Sequence, residues 1–119
     1  MARTDLTKTT ALGAYGTYAV NAADLTMAAA DVVNKNQFVA SGNDLIVAHN
    51  TGASAYTVTI SSAPDPYGRS GDIAAYSIGA GEYAVFGPMK LPGWMQTDGK
   101  VYLEASNAAV KFGVVALPG

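Results

Sequence analysis

The chain of 119 residues contains no cysteine and a single histidine, His49. Without cysteine there is no disulfide-stapled module and no thiol nucleophile. With one histidine, any Ser-His-Asp arrangement rests on His49 alone, and a zinc site built from protein ligands is nearly excluded. His49 closes an apolar stretch just before a turn and reads as a structural or exposed strand-end residue. Charge is scarce as well, at 13% of residues with a formal net charge of -2, about half the charged fraction of an average soluble domain. Neither sign forms a run, so nothing points to an electrostatic nucleic-acid or membrane binder. No stretch reaches the roughly 18 apolar residues that span a bilayer, because Asp24, Asp31, Asp44, Asp72 and Glu82 interrupt every candidate. Met1 to Gly13 carries Arg3 and Lys8 and lacks the apolar centre of a signal peptide, so the expectation is a product made in the cytoplasm and not secreted.

What the chain has in quantity is apolar residues, 50% of the total. That is enough to bury one core, and the length suits one domain. A surface with so few charges is expected to be partly covered by other chains.

Short β-rich runs recur at intervals of about ten residues between turn signals. Gln37 to Ala40 precedes Ser41-Gly42-Asn43. Asp44 to His49 is a continuous apolar run, as for a strand covered on both faces. Tyr56, Val58 and Ile60 alternate with Thr57 and Thr59. Residues 61–72 (SSAPDPYGRSGD) read as a long loop, since Pro64, Pro66, Gly68 and Gly71 deny regular structure. Strands are expected over Ile73–Ile78 and Glu82–Phe86, joined by Gly79-Ala80-Gly81. After Gly87-Pro88 and Pro92-Gly93 comes a short run at Trp94–Gln96. Asp98-Gly99 then signals a type I′ hairpin, and Val101–Ala105 and Val110–Leu117 complete the set.

Leu25–Val33 fits either a short helix capped by Asp24 or a short strand followed by a helical turn, with the balance toward the latter. Residues 1–20, rich in Thr, Ala and Gly, read as an extended arm ahead of a single domain over 21–119. The fold expected is all-β: an antiparallel β-sandwich, jelly-roll-like, or a small β-barrel. Its core is expected to include Ile46, Val58, Phe86, Leu103 and Phe112.

Chemistry-bearing patterns are sparse. The aspartates sit where turn chemistry accounts for them. Asp65 and Asp72 flank Arg69 in a spacing that matches no calcium loop. Gly79-Ala80-Gly81 lacks the further glycine of a dinucleotide fingerprint, and no phosphate loop follows. The reading is therefore non-enzymatic, with no catalytic residue, cofactor or metal. The candidate contact residues are Leu12, Tyr15 and Tyr18 in the arm, Tyr67 and Arg69 in the loop, and Trp94.

From Gly42 onward the order GNDLIVAHNTGASAYTVTI, PDPYGRSGDI, GAGEYAVFGP and GWMQTDGKVYLEASNAAVKFGVVALP resembles small virion proteins of tailed bacteriophages, of the head decoration or cement type. The resemblance covers roughly residues 25–119. It implies a β-sandwich or jelly-roll body, commonly a homotrimer, that binds the major capsid protein on the outside of the shell and bridges capsomers; the charge pattern adds the expectation of neither nucleic acid nor membrane as a partner. A carbohydrate-binding or adhesion module, with Tyr67, Trp94 and Tyr102 lining a sugar-binding face, is the alternative reading. A tail or connector component is a further one.

Overall fold

The computed structural model describes residues 3–11, 24–63 and 71–117. Ten strands run along them: β1 (Thr4–Asp5), β2 (Lys8–Thr10), β3 (Ala28–Ala29), β4 (Asn36–Val39), β5 (Asp44–Asn50), β6 (Tyr56–Ser61), β7 (Ile73–Ile78), β8 (Tyr83–Met89), β9 (Lys100–Ala105) and β10 (Val110–Ala116). A single helical turn, α1 (Leu91–Trp94), lies between β8 and β9. The strands form two mixed sheets. Sheet A has the order β1-β4-β9-β6-β7, and sheet B has the order β2-β10-β5-β8 with β3 also on β10.

The two sheets bury one shared core, as in a β-sandwich. The alternation read in the sequence explains how. Phe38, Val58, Ile60, Val101 and Leu103 point inward from sheet A, while Ile46, Ala48, Phe86, Phe112 and Val114 point inward from sheet B, and all belong to one buried cluster. The five expected core residues are all in it. β5 departs from its expectation, because only Asp44, Ile46, Ala48 and Asn50 are buried, while Leu45, Val47 and His49 on the other face are half-buried.

The loop bases are held by side chains. Asp72 accepts hydrogen bonds from the Ser62 N–H and hydroxyl, 2.7 and 2.8 Å, and so closes the base of the 62–72 loop. Buried Asn50 donates to the Ser54 and Ile78 carbonyls and accepts from the Gly52 N–H. Buried Asp44 accepts from the Ser41 N–H and hydroxyl and lies 3.5 Å from the Lys8 ammonium.

The 25–33 segment takes the favoured of its two readings, the short strand β3 followed by a turn at Val32–Asn34. Other expectations change. β8 runs through Gly87-Pro88 to Met89, and the run at Trp94–Gln96 is replaced by α1, which Pro92 can begin because an N-terminal helical position needs no N–H donor. Asp98-Gly99 joins α1 to β9 and not two strands. Only Gly99 has positive φ there, so the turn is not type I′.

The largest change concerns the arm. Thr4 and Asp5 pair in parallel with Asn36 and Gln37, and Lys8 to Thr10 pair in parallel with Val114 to Ala116. Leu6, between the two short strands, is 8% exposed and sits in the common core. Residues 3–11 therefore belong to the body, and the boundary at residue 20 does not separate them from it. A Thr-rich segment achieves this because edge pairing uses backbone groups, and one leucine suffices as an anchor. The remainder of the arm, residues 1–2 and 12–20, lies outside the described residues.

Candidate interaction surface

The two flanks of the sandwich are built differently. On one flank, the N-terminal segment closes both sheets. β1 covers the outer edge of β4, and β2 and β3 cover that of β10. Side chains fasten this closure. Arg3 donates to the Asn36 carbonyl at 3.1 Å and stacks over the Tyr102 ring, 4.2 Å from its centroid. Lys8 donates to the Val39 carbonyl at 2.9 Å. The Thr4 hydroxyl donates to Asp31, and Asp5 lies 3.4 Å from the Lys100 ammonium and accepts from Gln37. The edges left outermost, two and three residues long, carry Asp5 and Lys8. Short, charged edges resist pairing with other chains.

On the opposite flank, β7 ends sheet A and β8 ends sheet B, and among the described residues no strand covers either outer edge. β7 has six residues and β8 has seven, and neither contains Asp, Glu, Lys, Arg or His. Apart from Ser77, their exposed side chains are apolar or aromatic: Tyr76 is 50% exposed, Tyr83 66% and Val85 62%. The register of β7 against β6 shifts between Val58 and Ile60, and Ala75 takes φ 51° with its N–H donating to the Thr59 hydroxyl at 3.0 Å. This bulge lets Ile73 and Ile78 both face inward, and it leaves Tyr76 at the mouth of the core, edge-on to Phe86 at 5.3 Å. On β8, Tyr83 stacks flat on His49 with ring centroids 3.8 Å apart. His49 is thus a half-buried strand residue in an aromatic stack.

The apolar character continues onto the outer face of sheet B. Val47 lies opposite Val85 and Gly113, and Leu25 and Met27 pack over Gly113, where a Cβ would meet the Met27 sulfur at 2.5 Å. Glycine at 113 is what lets those side chains lie against the sheet.

Elsewhere among the described residues, exposed apolar side chains such as Val33 and Val39 lie amid polar groups that pair with one another. A shallow groove of about 300 Å³ on the outside of sheet A is lined by Val32, Lys35, Thr57, Thr59, Glu104 and Ser106. Lys35 and Glu104 pair at 3.0 Å, and the Ser106 hydroxyl accepts the Thr57 N–H. The carboxyls that turn or fasten the chain are held below their ordinary value. Asp31 is lowered chiefly by the Asn34 N–H, Asp72 by the Ser62 N–H, Asp5 by Gln37 and Asp98 by the Tyr102 hydroxyl, which is itself raised. These shifts come from structural hydrogen bonds. Among the described residues no group of three or more His, Cys, Asp and Glu side chains is placed to hold a metal ion.

Of the contact residues expected from sequence, Leu12, Tyr15, Tyr18, Tyr67 and Arg69 lie outside the described residues. Trp94 is half-buried and packs against the core at the end of α1. It is not a free aromatic platform. Sequence reasoning missed Tyr76, Tyr83 and Val85. Their signal was present as two runs without charge, but not the information that both runs are sheet edges. No protein-family model, curated protein or solved structure matches the chain.

Proposed function

We propose that this chain is a non-enzymatic virion structural protein of a tailed bacteriophage, acting as a decoration protein that binds the outside of the capsid and bridges capsomers. The observation that carries the reading is the asymmetry of the flanks. One is closed by short edges that carry charge, while the other offers two uncharged edges that adjoin an apolar patch of Val47, Val85, Leu25 and Met27 on the outer face of sheet B, the anatomy of a protein–protein contact.

The strand order supports the jelly-roll body that the resemblance implies. β3 pairs with β10, β4 with β9, β5 with β8, and β6 lies beside β7, while β10 also pairs with β5 and β9 with β6. β4–β9 and β6–β7 are nested pairs in one sheet, β3–β10 and β5–β8 in the other, as in one long hairpin folded over itself. In this reading the partners are the major capsid protein and further copies of the chain, and the site of action is the virion.

Such a protein stabilises by mass action. A ligand that binds only the assembled lattice, at a free concentration of 100 times its Kd, favours it by about 2.7 kcal/mol per site. The test is co-sedimentation of the purified protein with capsids of the phage that encodes it, together with mass spectrometry of purified virions. Saturable binding that raises the temperature of shell disruption is expected. Absence from virions, or no binding to capsids, would refute the reading.

A further inference from the structure

The outer edge of β8 is suited to one occupant in particular. The Asn50 N–H donates to the Glu82 carbonyl at 3.0 Å across the β5–β8 ladder, and Ala48 faces Ala84. Antiparallel pairing alternates the direction of backbone groups, so Tyr83 and Val85 turn their N–H and C=O away from β5, toward the uncovered side. β7 offers a poorer edge, because the bulge at Ala75 breaks it near its middle, whereas β8 pairs in regular register over Tyr83–Phe86 and shifts only toward its end, at Gly87-Pro88.

The charges at the two ends of β8 then select the partner and its direction. Glu82 immediately precedes the strand and Lys90 immediately follows it, both exposed, with no Asp, Glu, Lys, Arg or His between them. A parallel copy would set Glu82 beside Glu82 and Lys90 beside Lys90. An antiparallel copy brings each Glu82 to the other chain's Lys90. It also gathers Tyr83 and Val85 of both chains over the joined sheet.

We infer that two copies of this chain pair β8 to β8, antiparallel about a two-fold axis, and fuse their B sheets into one. This rests on the uncovered flank being a contact surface, as proposed above, and names what covers it. It differs from the trimer that the resemblance implies: a two-fold axis brings the same strand of both copies together, whereas a three-fold axis joins unlike surfaces.

The experiment is sedimentation equilibrium of the full chain from about 1 to about 100 μM, the range in which a modest interface associates. A monomer–dimer equilibrium is expected. Glu82→Lys and Lys90→Glu should each weaken it about tenfold, since either change alters two symmetric ion pairs. The double variant should restore most of the loss. Val85→Lys, at an exposed position, should also weaken the dimer while the near-UV circular dichroism stays unchanged. A monomer throughout the range, a trimer, or a double variant no better than the single ones would overturn the pairing. Capsid binding by a protein that stays monomeric overturns this inference and leaves the virion reading standing. A dimer with charge-swap rescue but no capsid binding does the reverse.

Discussion

Leu6→Ala tests how deeply the N-terminal segment belongs to the fold. Leu6 is 8% exposed and is the one buried apolar side chain between β1 and β2. Removing its outer carbons forfeits roughly three buried carbons at about 0.8 kcal/mol each, or about 2.4 kcal/mol. A cavity contribution would add to this, but the segment lies at the flank and can settle inward, so the total stays at about 2 to 3 kcal/mol, the low end for such substitutions. For a chain of this length that corresponds to a fall of about 10 °C in Tm. Urea unfolding at constant slope measures the loss directly. Hydrogen exchange supplies the local readout, because the Thr4 N–H donates to the Lys35 carbonyl, the Leu6 N–H to Gln37 and the Ala11 N–H to Ala116. These amides should be protected in the wild type and exposed in the variant. A loss below about 0.5 kcal/mol, the scatter of surface substitutions, with unprotected amides in the wild type, would show that residues 3–11 are an arm resting on the body and not part of it.

Two further predictions concern the polar fasteners. Asp31 accepts hydrogen bonds from the Asn34 and Val33 N–H groups and the Thr4 hydroxyl, which together hold its carboxyl below the ordinary 3.8. The unfolded chain therefore binds the proton first as pH falls, so this contribution is complete above about pH 4 and is lost below it. The denaturant midpoint should drop on acidification, and Asp31→Asn should flatten that dependence; an unchanged slope would refute the assignment. Asn50→Ala should cost about 3 kcal/mol, because it removes three hydrogen bonds and leaves the buried Ile78 carbonyl without its donor. Chemical denaturation measures this cost, and a value under about 1 kcal/mol would mean that water replaces the amide.

Much of the body is legible in the chain. The alternation at Tyr56–Ile60 and Val101–Ala105, and the turn residues between runs, set the strands and the inward faces, because a period of two leaves each strand one way to bury its apolar side. Where long-range pairing decides, the sequence misleads. Thr4–Thr10 has no apolar period, yet its backbone pairs with β4 and β10. Gly87-Pro88 looks like a break, yet β8 continues through it.

The candidate surface divides in the same way. That Ile73–Ile78 and Tyr83–Met89 lack Asp, Glu, Lys, Arg and His is written in the sequence, as is the pair of opposite charges around β8. That these two runs are the outermost strands of their sheets, while β1, β2 and β3 cover the other flank, is a property of strand order alone. Strand order comes from contacts between residues far apart in the chain, and local composition carries no record of which edge remains uncovered.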